Sequence, residues 1–167
     1  RKAAGRYLRY IFWENLSQEE LLEGTLTRVS LAWDGRLSLA PSYDLVYDTG
    51  QPFIFAMARD RSGNVYLGTG HNGKVFRVDP QGKGSLYFQA KELDVFALAV
   101  DSAGVLYVGT SPDGKVYRVT APEKATEFCN PEDKYIWSLA LDERGNLFVG
   151  TGGRGLILKV NPQGEKS

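Results

Sequence analysis

A chain of 167 residues, 43% hydrophobic and 12% aromatic, has the size of one ordinary domain and enough apolar material for a core, which excludes global disorder. Twenty Lys plus Arg balance twenty Asp plus Glu, so the basic excess of a nucleic-acid-binding protein is absent. A single cysteine, Cys129, excludes an intramolecular disulfide, and no apolar run reaches the roughly 18 residues of a membrane-spanning helix.

Residues 1–24 form a lead-in. The chain begins at Arg1 rather than Met, as a trimmed N-terminus would, and an export signal removed with it fits that reading. The run Tyr7–Trp13 is rich in the aromatic and branched side chains that suit a pleated strand. Ser17 and Glu20 have capping-box spacing ahead of Leu21 and Leu22, with Gly24 as a stop, which predicts a short helix at about 18–23.

Residues 25–52 read as a reduced copy of a unit repeated downstream. Arg28–Ala32 alternates like a strand, Asp34-Gly35 makes a tight turn, and Arg36–Pro41 returns. Leu45–Asp48 aligns with Leu86–Gln89, but the 13 residues that should form a third strand and its turn are missing. About three strands are expected here.

The full unit follows in 53–94 and 95–135, and a shortened one in 136–167. Asp60, Asp101 and Asp142 recur every 41 residues, as do Gly63, Gly104 and Gly145, then Gly68, Gly109 and Gly150, then Gly73, Gly114 and Gly155. Each unit reads as four short strands, A to D, and the last stops where its strand D should begin. A period near 40 filled with short strands is the mark of β-propeller blades. The expected fold is all-β: a propeller segment of about 3.5 four-stranded blades, part of a six- to eight-bladed ring. An open ring leaves apolar sheet faces uncovered, so closure by more blades or by a second copy in a homodimer is expected.

Alternation places small side chains (Ala56, Ala58, Ala97, Ala99, Ser138, Ala140) on one face of strand A and large ones (Phe55, Met57, Phe96, Leu98, Trp137, Leu139) on the other. The small face allows close blade approach, and the large face is expected to fill the inter-blade gap. Arg77, Arg118 and Lys159 on strand C read as edge solvation or a blade-to-blade ion pair. The Asp-x-x-Gly turns read as mechanical, the carboxylate accepting backbone N–H bonds and glycine supplying positive φ. One acid per turn, with Glu143 added in one of them, is far from a calcium ligand set, and no metal or cofactor is expected.

Candidate binding residues come from loops with constant ends and differing middles. The B-to-C loops 68–73, 109–114 and 150–155 vary at His71 and Asn72, at Asp113, and at Arg154. The aromatics where strand A begins, Phe53, Phe55, Tyr135 and Trp137, either line a channel mouth or fill gaps between blades, the latter being favoured. No nucleophile-base or metal-ligand motif occurs, and the lone His71 is a poor basis for catalysis.

The pattern Ala-x-Asp-x-x-Gly-x-Leu-Tyr-x-Gly-Thr-x-x-x-Gly-x-Val-Tyr-Arg-Val resembles bacterial WD40/NHL-like propeller repeats, including two-component-regulator-like and streptogramin-lyase-like members. Residues 24–41 resemble the start of exported bacterial propellers, which implies a periplasmic or secreted location. This superfold hosts lyases, hydrolases, sugar and peptide binders and plain scaffolds, so the resemblance is specific for fold and weak for function. Its lyase chemistry uses histidine with a metal-assisted acid/base site, and this chain has one histidine. The expected function is therefore a non-catalytic scaffold binding a protein, peptide or glycan at the loop face. The alternative is a lyase- or hydrolase-type enzyme with its catalytic residues in other blades.

Overall fold

The computed structural model describes residues 26–32 and 34–165, which contain β-strands and no helix. The helix expected at about 18–23 lies outside the described residues. The chain divides into two compact units at Asp44/Leu45.

Among its described residues the first unit holds one antiparallel pair, β1 (Val29–Leu31) and β2 (Leu37–Leu39), with Val29 opposite Leu39. Its turn is the expected one: Gly35 has φ +80°, its N–H donates to the Ala32 carbonyl at 3.0 Å, and the Arg36 N–H donates to the Asp34 carboxylate. Two strands stand where about three were expected, because Leu45–Asp48 forms none. The 13 missing residues are those that would have paired with it, and a strand without a ladder partner leaves its backbone unpaired.

The second unit holds three antiparallel sheets, each a simple meander. The first is β3 (Ile54–Arg59), β4 (Val65–Thr69), β5 (Lys74–Val78) and β6 (Gly84–Gln89). The next is β7 (Asp94–Val100), β8 (Leu106–Ser111), β9 (Val116–Ala121) and β10 (Lys124–Cys129). The third has β11 (Tyr135–Leu141), β12 (Leu147–Gly152) and β13 (Ile157–Val160).

The A-to-B turns work as the sequence implies. Asp142 accepts the backbone N–H groups of Arg144 and Asn146 at 2.9 and 2.8 Å, and the Asn146 side-chain amide at 2.7 Å. Asp60 and Asp101 repeat the arrangement with Asn64 and Val105. Gly63, Gly104 and Gly145 all have φ between +80° and +89°, where a Cβ would be strained.

The sheets stack face to face through two shared cores. One joins Tyr66, Val75 and Phe88 of the first sheet to Val95, Leu106 and Val119 of the second. The other joins Tyr107, Val116 and Cys129 to Ile136, Leu147 and Val160. Strands β3, β7 and β11 pack against one another, so the first strand of every sheet lies toward a common inner side. At each joint a branched side chain from that strand seats on a glycine of the preceding sheet: Val95 on Gly68, and Ile136 on Gly109. Val95 and Ile136 are fully buried, and each contributes about 1.5–3 kcal/mol of transfer free energy. Backbone bonds cross the same joints, from Gly73 N–H to the Leu93 carbonyl and from Gly114 N–H to the Lys134 carbonyl.

Of the strand C cations, Arg77 and Arg118 make no ion pair among the described residues, and Lys159 sits 5.9 Å from the Phe148 ring centroid.

Candidate functional site

Every innermost strand carries a β-bulge at the same place. Pairing shifts between Ile54 and Ala56, between Val95 and Ala97, and between Ile136 and Ser138. The extra residues are Phe55, Phe96 and Trp137, spaced 41 apart. A bulge re-aims its side chain, and here it turns three rings onto the inner side.

The rings make a continuous ladder. Phe53 stacks on Phe55 at 5.6 Å between centroids, Phe55 meets Phe96 at 4.7 Å, Phe96 meets Trp137 at 4.7 Å, and Trp137 stacks on Tyr135 at 5.3 Å. Such spacings suit offset or tilted aromatic contact. Two rings lie directly over glycine backbone: a Cβ at Gly70 would collide with Phe55, and one at Gly152 with the Trp137 indole. Ser111 holds the third equivalent position, its hydroxyl donating to the Thr110 carbonyl and accepting the Ile136 N–H.

The large face of strand A divides. Leu98 and Leu139 pack against the two shared cores, as alternation had led us to expect. The rings do not fill the gap: Phe53, Phe55 and Trp137 are exposed, as is Met57, and Val95 and Ile136 are the fully buried side chains at the joints. The bulge is the reason, since one extra residue breaks strict period-two alternation. Below the rings, Met57, Leu98 and Leu139 continue the same surface, and Ser138 is the polar side chain of that lower part. A cation-capable side chain stands at either end. His71 presents its ring edge-on to Phe53 at 5.2 Å, and Lys134 Nζ lies 5.2 Å from the Tyr135 centroid.

The loop residues form a second register. Asn72, Asp113 and Arg154 are equivalent, and so are Gln51, Glu92 and Asp133. Asn72 donates its side-chain amide to Gln51 at 2.9 Å. Arg154 donates to the Pro131 and Glu132 carbonyls at 3.1 and 3.0 Å and lies 3.6 Å from the Asp133 carboxylate. The middle pair is two acids, Glu92 and Asp113. There Glu92 turns instead to Lys115 Nζ at 3.6 Å and accepts the Tyr117 hydroxyl at 3.1 Å. His71 is at φ +67°, and its backbone N–H donates to Asp94 at 2.8 Å.

The arrangement thus brings Phe53, Tyr135 and Trp137 into one surface, with His71 at its edge. It engages Asn72 and Arg154 in holding their own loops. Phe96, the middle rung, was missed as a site residue, although its 41-residue spacing from Phe55 and Trp137 was visible. Among the described residues no group of three or more His, Cys, Asp or Glu is placed to hold a metal ion.

Three antiparallel meanders, stacked face to face with their first strands toward a common inner side, are β-propeller blades. No family model matches the chain and no curated protein matches it. Solved structures do. Virginiamycin B lyase from Staphylococcus aureus superposes with a TM-score of 0.61 at 15% identity, over 83% of this chain and 46% of the lyase chain. A gluconolactonase from Xanthomonas campestris gives 0.57 at 15% identity, over 83% of this chain and 52% of that one. An extracellular domain from B. thetaiotaomicron gives 0.50 at 22% identity, over 71% of this chain and 17% of that one. This chain spans about half the length of the two enzymes it resembles. At these identities the likeness establishes the propeller fold, and the resemblance read from the repeats holds at that level.

Proposed function

We propose that the chain is a non-catalytic β-propeller module that binds a peptide or protein through apolar side chains at the mouth of its channel. The ladder from Phe53 to Tyr135 carries this reading, because exposed, mutually braced aromatic rings are the usual anchors of an interface. Among the ligands expected at the loop face, a peptide fits the ladder better than a glycan. A sugar needs several polar partners beside the stacking ring, and below the rings the lining is apolar apart from Ser138. A second copy that completes the ring belongs to the same reading. The alternative, a lyase- or lactonase-type enzyme, draws on the likeness to two such enzymes and would need acid–base groups beyond His71.

The test is titration with an acetylated, amidated Leu-Phe-Leu tripeptide and, separately, with maltohexaose, followed by tryptophan emission and by NMR shifts of the Met57 methyl. The tripeptide should shift both signals, and Trp137→Ala should weaken its binding by about tenfold or more, the size of a lost aromatic anchor. A response to maltohexaose alone, or a tripeptide response unaltered by Trp137→Ala, would refute the reading.

A further inference from the structure

Arg77 of β5 stands opposite Tyr66 on β4 and Ser85 on β6, on the face that the first sheet turns toward the second. Its Nε is buried without a hydrogen-bond acceptor, and its guanidinium makes no ion pair among the described residues. A charge partly withdrawn from water and left without a counter-charge is costly to keep. Beside it lies a cavity of about 230 Å³ walled by Arg77, Asp79, Lys83 and Ser85. Two cations against one acid leave that wall net positive.

The acid is already engaged elsewhere. Asp79 Oδ1 accepts the backbone N–H groups of Gln81 and Lys83 at 3.0 and 2.9 Å, and its own N–H donates to the Lys83 carbonyl. Those bonds close the β5–β6 turn, and neither cation lies within ion-pair distance of the carboxylate. The turn thus sets Lys83 and Ser85 beside Arg77 without neutralising them.

A second observation is the recurrence of the set. Forty-one residues on, Arg118 again buries an Nε with no acceptor, stands opposite Thr126, and has Lys124 where Lys83 was. On the third sheet Lys159 and Glu165 hold the two charged positions, one of each sign, and Lys159 lies against the Phe148 ring instead. The unpartnered guanidinium therefore goes with the cation pair and the hydroxyl.

We infer that the cavity beside Arg77 binds a tetrahedral oxyanion, the group that free phosphate, phosphate monoesters and sulfate share. A guanidinium fork, an ammonium and a hydroxyl are donors that such an anion matches, and its charge supplies the counter-charge that Arg77 lacks. The site lies on the third and fourth strands of its sheet, whereas the aromatic ladder lies on the first strands. Neither reading depends on the other.

The test is titration of the full chain, at low ionic strength, with inorganic phosphate, methyl phosphate and inorganic sulfate in turn, followed by NMR at the Ser85 backbone amide. At least one should bind saturably. Arg77→Gln should weaken that binding by about tenfold or more, the size of a lost hydrogen bond to a charged group. Lys83→Gln should weaken it by about two- to fivefold, as for an exposed ion pair, and carries the test if the Arg77 variant fails to fold. Lys91→Gln makes the same change of charge on an exposed loop lysine and should leave binding unaltered. Methyl phosphate bound as tightly as inorganic phosphate would support the site and point to esters; methyl phosphate bound much more weakly would support it and point to the free ion. No saturable binding of any of the three would overturn the inference. So would binding that Arg77→Gln and Lys83→Gln both leave intact, or that Lys91→Gln weakens as much as they do.

Discussion

Val95 closes onto Gly68 of the preceding sheet: a Cβ placed on Gly68 would lie 2.6 Å from Val95 Cγ1 and 3.1 Å from its carbonyl oxygen. Forty-one residues on, Ile136 approaches Gly109 equally closely. Gly68→Ala and Gly109→Ala should therefore each destabilise the chain by roughly 1–3 kcal/mol, the usual cost of overfilling a packed joint. Urea denaturation measures it, and a loss under about 0.5 kcal/mol would mean that the sheets sit further apart than described.

Acid should weaken the blades through their turns. The Asn146 side-chain amide holds the Asp142 carboxyl below its usual 3.8 against a desolvation cost, helped by the Asn146 and Arg144 backbone N–H groups. The Thr151 hydroxyl does the same for Asp133. A carboxylate whose folded pKa is depressed adds stability above its unfolded value, and that stability is lost as pH falls through the folded one. The urea midpoint should fall as pH drops below about 4, and Asp142→Ala should make that fall shallower. An unaltered slope would count against the turn geometry.

At the alkaline end the buried tyrosines dominate. Burial, reinforced by Tyr87 and Asp60, pushes the Tyr66 hydroxyl up to about 12, and burial with the Glu92 hydrogen bond raises Tyr117. A tyrosine whose folded pKa is raised adds stability below the unfolded value, here near 10, and that stability is lost as pH rises through the folded one. Ultraviolet titration of the parent chain minus Tyr66→Phe should show a phenol that titrates at about 12, well beyond free tyrosine. A difference curve centred near 10 would refute its burial.

Repeat period, strand order and turn mechanics were legible in the sequence because Asp60, Asp101 and Asp142 act within a few residues of themselves. The joint glycines were visible as a register, but their role was not, since Val95 reaches Gly68 across a sheet boundary. The ladder was misassigned for a local reason. Period two puts Phe55 and Met57 on a gap-filling face, and a bulge leaves no mark in a single strand's alternation. Arg154 looked like a recognition tip because its partners, Pro131 and Asp133, lie more than 20 residues upstream. Leu45–Asp48 aligned with a strand but forms none, since alignment does not provide a neighbour to pair with.

Burial of the ladder by some other surface has its own readout. Acrylamide should quench Trp137 efficiently in the free chain, as its half-exposed indole requires. The Trp137→Phe difference isolates its emission from that of Trp13 and Trp33. A quenching constant typical of a buried indole would mean that the inner side is already occupied.

The whole account depends on the 41-residue units stacking as blades with one sheet's knob in the next sheet's glycine socket. Methyl-labelled NMR reads this directly, through cross-peaks from the Val95 methyls to the Gly68 α-protons and from the Ile136 methyls to those of Gly109. Both pairs should be strong. If each methyl showed contacts only within its own sheet, the units would not share a joint, and the propeller description would fail.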